Sequence, residues 1–464
     1  MTERKIIELL KKFDQQHVLD HSVHLTPEKR NEFLGELKNL DLALVFRLHN
    51  KISTEITSPS LCDIGRAPII PIPETPGEKA RREEARTLGE SLILQNRVAV
   101  LIVAGGQGSR LGFEGPKGKL PISPIKKKSL FQLLAESLKA SSSRYQASIP
   151  LLIMTNRENG EETQHFFAAN QFFGLERDRI YFFDQGMLPT ITPEGKLILK
   201  GETQLLVNPD GHGGSLKALY ESGLLQHLIE KGYSELSYCQ VDNPLAKIVD
   251  PVFIGYHKME RAEISTKVVR RRNLEEKVGI YGMLNGKPAI IEYSDFRPED
   301  YCALDRQGRI RHWAGNTAVH MISLPFIQRL NVNGFALPYH RAVKEVEGLG
   351  PGGQKLKMSG WKFETFVFDS IPLARKTCCM EVIREEEFSP VKNQKGNDSP
   401  ETVRSAMVDL HRGWLKEAGV EIAPEARVEI SPLYALDKEE LLRKLKGKKL
   451  KIRADLYIGP EFNP

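Results

Sequence analysis

Between Val98 and about Asp369 the chain alternates short, uninterrupted apolar runs with longer amphipathic stretches, and that alternation limits the fold more than any other feature. The runs VAVLIVA (98–104), PLLIMT (150–155), RIYFF (179–183) and ELSYCQVD (235–242) have the length of strands buried on both faces. Helix-like segments such as SLFQLLAESLKA (129–140) and GSLKALYESGLLQHLIEKG (214–232) lie between them. Strands with no polar face need helices on both sides, so the pattern predicts an α/β fold with a mixed, mostly parallel sheet. Ligands of such sheets gather at the loops that follow the carboxyl ends of the strands.

The flanks are of another kind. Residues 1 to about 56 read as helices, with Ile6, Leu9, Leu10 and Phe13 at helical spacing and Thr26-Pro27 as an N-cap followed by a first-turn proline. Residues 58–77 hold five prolines and are expected to run extended over the surface; a charged helix over about 78–95 follows. The tail from about Glu387 shows one helix (402–418) and short strand-like pieces, a small α+β domain. This divides the chain into a helical N-terminal region with a Pro-rich linker (1–95), a central domain (96–386) and a C-terminal domain (387–464).

Charge and cysteine usage narrow the class. The net charge of +6 comes from 66 basic and 60 acidic side chains, an excess too thin to demand a polyanion. The basic run LLRKLKGKKLKIR (441–453) lacks interleaved aromatics and reads as a solvated face, so no nucleic-acid partner is expected despite a pI of about 8.8. Five cysteines without C-x-x-C spacing fit a reducing compartment rather than a disulfide framework or zinc site. The opening MTERKIIELLKKF is no secretory signal, and no apolar run approaches the ~20 residues that span a bilayer, so a cytoplasmic protein with no membrane partner is expected.

Residues 98–123, VAVLIVAGGQGSRLGFEGPKGKLPIS, run an apolar strand directly into a loop with Gly105, Gly106, Gly108 and Gly112. Glycines let backbone N–H groups close on phosphate oxygens, and Arg110 and Lys117 add fixed positive charge beside them. The spacing matches neither G-x-x-x-x-G-K-[ST] nor G-x-G-x-x-G followed by a helix, which excludes the two commoner phosphate loops. Asp242 follows another apolar run, which places its carboxylate at a strand's carboxyl end, where hard Mg²⁺ could take it together with phosphate oxygens.

AGGQGSRLG followed by PKG resembles the signature of the UDP-sugar pyrophosphorylases, in particular the UDP-N-acetylglucosamine pyrophosphorylase branch. The resemblance extends in order through FFDQGMLPT (182–190), NPDGHGG (208–214), QVDNPLAKIVDPVFIG (240–255), EKVGIYG (276–282), IIEYSD (290–295), AGNTAVH (314–320), FETFVFD (363–369) and REEEFSPVKN (384–393), roughly residues 90–400. It implies a Rossmann-like nucleotidyltransferase domain that joins UTP to a sugar 1-phosphate and releases pyrophosphate and a UDP-sugar, with UDP-N-acetylglucosamine first and UDP-glucose, UDP-galactose or a broad range as the alternative. The implied cofactor is Mg²⁺, with Mn²⁺ as a substitute, and the implied assembly a monomer or weak dimer.

Carried over position by position, the resemblance gives Gly105, Gly106, Gly108 and Arg110 to the triphosphate, Lys117 and Lys392 to the charge of the transition state, and Asp242 to the metal. Ser109 stands where threonine is more usual and keeps the hydroxyl. Gln185 and Gly211 fall at uracil-reading positions, and Gly279, Glu292, Tyr293 and Asn316 on the sugar side. Phe366 and Phe368 match aromatics near the acyl or sugar group, although the alternation of FETFVFD also fits a half-buried strand. His212 is the departure: relatives selective for the acetamido sugar carry asparagine in DGNGG, so the imidazole bears on sugar choice. A general-base role for it is not expected, since the attacking phosphate is already anionic.

Overall fold

The computed structural model describes residues 2–54, 64–350 and 352–463. By contact the chain forms two compact units, each discontinuous in sequence: one of residues 1–60, 185–218 and 334–369, the other of residues 61–184, 219–333 and 370–464.

In the first unit, helices Glu3–Lys12, Gln16–Val23, Pro27–Asn39 and Leu42–Thr54 form as the apolar spacing predicts. Thr26 Oγ1 accepts the Lys29 N–H at 3.4 Å, with Pro27 in the first turn where its missing donor costs nothing. Ile6 and Leu10 are buried, and Phe13 stacks on Phe46 at 4.4 Å between centroids. These helices share one core with Leu188, Ile191, Leu197, Leu199, Leu205 and Phe363. The hairpin His340–Leu349/Lys355–Glu364 completes the unit, with a short antiparallel pair Met187–Pro189/Val207–Pro209. FETFVFD is therefore not one strand: the ladder ends at the His340–Glu364 pair, and the next N–H, of Thr365, donates to the Asp210 carbonyl at 2.7 Å instead.

The second unit is built on a ten-stranded sheet. Its strands are β1 (Ile64–Gly65), β2 (Val98–Val103), β3 (Leu151–Thr155), β4 (Ile180–Asp184), β5 (Glu235–Gln240), β6 (Ile264–Arg270), β7 (Ile280–Leu284), β8 (Lys287–Ile291), β9 (Ala314–Ser323) and β10 (Thr377–Glu381). The main order is β1-β7-β9-β5-β2-β3-β4, with β8 on β7, β6 on β9 and β10 on β6. The four apolar runs read from the sequence are β2, β3, β4 and β5, joined by parallel ladders, while β9 runs antiparallel to β5, β6 and β7. The Pro-rich stretch contributes β1 and a bridge from Ile70 to Met380; its residues 58–63, with Cys62, lie outside the described residues. Cys239, Cys302, Cys378 and Cys379 are unbridged.

Helix Pro76–Leu94 crosses helix Pro251–Met259 through two glycines: a Cβ on Gly89 would lie 1.8 Å from the Pro251 carbonyl oxygen, and one on Gly255 1.7 Å from that of Ala85. Segment 214–232 is two helices, Gly214–Glu221 and Leu224–Glu230, not one. Gly223 sits between them at φ +78°, a left-handed conformation that an α-helix cannot continue through. Toward the C-terminus, helix Pro400–Glu417 packs with helix Lys438–Leu445 and two short parallel pairs, Glu421–Ile422/Lys451–Ile452 and Val428–Ile430/Leu456–Ile458. Within 441–453, Leu441, Leu445 and Ile452 are buried while the lysines stay exposed or partly so, the solvated face expected of that run. Among the described residues no helix is long and apolar enough to cross a membrane.

Candidate active site

Strand register fixes one edge of the sheet as the place where the chemistry-bearing residues of the second unit collect. Val103 ends β2 opposite Gln240 of β5, so the glycine loop and Asp242 leave the sheet side by side. The loop folds back on itself: the Gly108 N–H donates to the Gly115 carbonyl at 2.9 Å and the Lys117 N–H to that of Gly106 at 3.1 Å. Gly108 is required by packing, since a Cβ there would lie 2.8 Å from the Phe113 ring, whereas at Gly106 a Cβ would meet nothing within 4 Å. Exposed Gly106 thus presents its backbone to open space, as a phosphate cradle needs, while the half-buried Gly105 leads into it. Arg110 is exposed in the 3₁₀ turn Ser109–Leu111.

Lys117 Nζ lies 3.1 Å from Asp242 Oδ2, and Asp242 is only 7% exposed. A half-sequestered cation and carboxylate at a strand end stand ready to meet a ligand carrying both phosphate and metal charge. Burial pushes the Cys239 thiol up to about 12, with the Asp242 charge adding to it, so that neighbour stays neutral. The Val391 N–H donates to the Asp242 carbonyl at 2.8 Å, and the Gln394 side chain lies against Gly112 of the loop. Exposed Lys392 lies in the chain between those two contacts, with its N–H on the Asp398 carbonyl at 2.7 Å.

The four sugar-side positions gather at the same edge. β9 is antiparallel to β5, and its Asn316, near the β9 start, takes the Gly279 carbonyl through its N–H at 2.8 Å. Glu292 crowds Gly279 so closely that a Cβ there would come 2.9 Å from Glu292 Oε1. Asn316 Oδ1 accepts the Ala318 N–H at 3.0 Å inside a bulge of β9, and Tyr293, 40% exposed, has Lys277 Nζ 5.8 Å from its ring centre.

In the first unit Gln185, Gly211, His212, Phe366 and Phe368 form a cluster of their own. Gln185 Nε2 donates to the Gly211 carbonyl at 2.9 Å and toward Asp210 Oδ1 at 3.3 Å. Gly211 has φ +88°, and a Cβ on it would lie 2.3 Å from the Thr365 carbonyl oxygen, so only glycine fits. His212 Nδ1 accepts the Val367 N–H at 3.2 Å, which puts the ring proton on Nε2. Its ring centre lies 5.3 Å from that of Phe366 and 5.6 Å from that of Phe368; Phe366 in turn stacks on His340 at 4.8 Å. Phe368 is buried and Phe366 half-buried, both in the aromatic cluster around His212.

Sequence reasoning missed the carboxamides that hold these loops. Asn156 Nδ2 donates to the Gly105 carbonyl at 2.6 Å and Asn159 Nδ2 to that of Ala104 at 3.0 Å, so the segment after β3 fixes the start of the glycine loop. The available signal was position: NRENG (156–160) directly follows PLLIMT (150–155) at a strand's carboxyl end.

The glycine loop and the Lys117–Asp242 pair thus share one sheet edge with Gly279, Glu292, Tyr293 and Asn316. Residues 53–446 match the family described as UTP–glucose-1-phosphate uridylyltransferase. The chain belongs to that family. UDP-N-acetylglucosamine diphosphorylase 2 of Arabidopsis thaliana is 35% identical over 94% of this chain and 90% of its own. UDP-N-acetylglucosamine pyrophosphorylase of Saccharomyces cerevisiae is 35% identical over 95% and 94%. The crystal structure of the Trypanosoma brucei uridine diphosphate N-acetylglucosamine pyrophosphorylase superposes with a TM-score of 0.80 at 26% identity, covering 98% of this chain and 99% of that one. The α/β fold with a mixed, mostly parallel sheet predicted from the strand–helix alternation is the fold found, and the nucleotidyltransferase domain that the resemblance implied is that of these neighbours.

Proposed function

We propose that this uridylyltransferase joins UTP to N-acetylglucosamine 1-phosphate, releasing pyrophosphate and UDP-N-acetylglucosamine, with Mg²⁺ as cofactor. The observation that carries the reading is the Lys117–Asp242 pair at 3.1 Å beside the open backbone of Gly106. A sugar-phosphate oxygen forms the new bond to the α-phosphorus of UTP while the bond to the leaving pyrophosphate breaks. This transfer asks the protein for positioning and charge stabilisation rather than covalent help. The glycine loop and Arg110 hold the triphosphate, Lys117 and Lys392 offset charge that grows as the α-phosphorus becomes five-coordinate, and the sugar rests on the Gly279–Asn316 edge.

Asp242 fits the metal in kind: Mg²⁺ commonly takes one or two carboxylates with phosphate oxygens and water. Among the described residues no three of His, Cys, Asp and Glu cluster as a protein cage, so the phosphates would supply most of the remaining ligands. When bound, Mg²⁺ or Mn²⁺ would supply positive charge to the phosphate oxygens. The names of the relatives support the acetamido sugar over glucose. A cytoplasmic setting and a monomer or weak dimer belong to the same proposal. The test is pyrophosphate release over a panel of sugar 1-phosphates with each nucleoside triphosphate. UTP with N-acetylglucosamine 1-phosphate should give the highest kcat/KM, and a preference for another nucleotide would overturn the reading.

A further inference from the structure

Residues 387–391 are buried without interruption, and Lys392 is the first exposed residue after them. The start of this strap is pinned by charge: Glu387 Oε2 lies 2.5 Å from Lys267 Nζ, itself 1% exposed, and Glu387 Oε1 lies 3.3 Å from Lys247 Nζ. The far end is pinned by the Val391 N–H on the Asp242 carbonyl. Between them stands one side chain, Asn243, 3% exposed. Its Nδ2 donates to the Glu387 carbonyl at 2.7 Å, and its Oδ1 accepts the Ser389 N–H at 3.1 Å and the Leu245 N–H at 3.3 Å. The Leu245 bond is an ordinary Asx turn, but the other two reach a segment more than 140 residues away in sequence. A carboxamide donates from one atom and accepts at another, so it can bridge a carbonyl and an N–H that lie apart.

We propose that Asn243 is a positioning residue that sets Lys392 against the group bound at Asp242, so that the two charged ends of the site move as one piece. The proposal rests on the reading of Lys392 and Asp242 as phosphate-side and metal-side groups. Neighbouring backbone fixes Asp242 to the strap, and the Asn243 amide fixes the strap's angle, hence the direction in which Lys392 leaves it.

The experiment is a double-mutant cycle on the full-length chain with Mg²⁺, UTP and N-acetylglucosamine 1-phosphate. Asn243→Asp keeps the shape and the Oδ1 acceptor but replaces the donor facing the Glu387 carbonyl by an oxygen; Asn243→Ala removes both. Each is measured alone and with Lys392→Ala, alongside thermal unfolding. Residues that act as a unit are not additive. Asn243→Asp should lower kcat by about tenfold or more and raise KM for UTP, the same pattern as Lys392→Ala, and the double variant should be no worse than Lys392→Ala alone. Losses that multiply would mean that Asn243 acts on stability or elsewhere and would overturn the proposal, as would an Asn243→Asp enzyme with unchanged kcat. A Lys392→Ala enzyme with unchanged kinetics would fail differently, removing Lys392 from the chemistry and the proposal with it.

Discussion

At the scale of single residues the account turns on charge placed where charge develops. Lys117 is expected to matter most in the transition state, so Lys117→Ala should lower kcat far more than it weakens UTP binding, a loss of ~3–4 kcal/mol or a few hundred-fold. Steady-state kinetics with a separate UTP-binding titration checks this, and near-normal kcat would remove Lys117 from its role. His212 should set sugar choice instead. Its Nδ1 is committed to the Val367 N–H, so what it offers a ligand is the Nε2 side of a ring held among Phe366 and Phe368. His212→Asn should raise the kcat/KM ratio of N-acetylglucosamine 1-phosphate to glucose 1-phosphate by ~0.5–1.5 kcal/mol, roughly two- to tenfold. An unchanged ratio would show that His212 does not read the sugar. Residues such as the loop glycines, Lys117 and Asp242 were legible because strand, glycine and charge fall together in sequence. Asn156, Asn159 and Asn243 were not, because a carboxamide means nothing until the carbonyl it meets is known, and that carbonyl lies up to 144 residues away.

At the scale of elements, close approach and burial make the predictions. Gly255→Ala would press a methyl into the Ala85 carbonyl where two helices cross, so a loss of ~1–3 kcal/mol or more is expected, read as a lowered Tm with little change in KM. Helix Pro400–Glu417 carries His411, whose Nδ1 accepts the Ile430 N–H at 3.3 Å. Burial holds its pKa down at about 4 against 6.5 for the free side chain. The unfolded chain therefore binds the proton first: the stabilisation is complete above pH 6.5 and is lost as pH falls toward 4, up to ~3 kcal/mol. Thermal melts from pH 7 to 4.5 should fall more steeply for the wild type than for His411→Gln, which keeps an acceptor but does not titrate; parallel curves would refute the assignment. The strands and most helices were legible from apolar period and caps. The break at Gly223 was not, because the apolar spacing runs straight through it while the backbone there turns left-handed.

At the scale of the whole molecule, the alternation of strands and helices announced the sheet, but not its order. The assignment of residues 185–218 and 334–369 to the unit of the N-terminal helices rests on contacts between buried side chains such as Leu188, Phe363 and Phe46, which no local period encodes. What the sequence pattern did announce is the glycine loop and Asp242 at one edge; Gly279 and Asn316, assigned through the resemblance alone, reach it through antiparallel ladders that no local period encodes. Uridylyl transfer at that edge is the central claim, and pyrophosphate release tests it most directly. With UTP, N-acetylglucosamine 1-phosphate and Mg²⁺ together, pyrophosphate and UDP-N-acetylglucosamine should appear in equal amounts, and omission of any one or saturation with EDTA should abolish both. Pyrophosphate formed without the sugar phosphate, or turnover unchanged in EDTA, would contradict it.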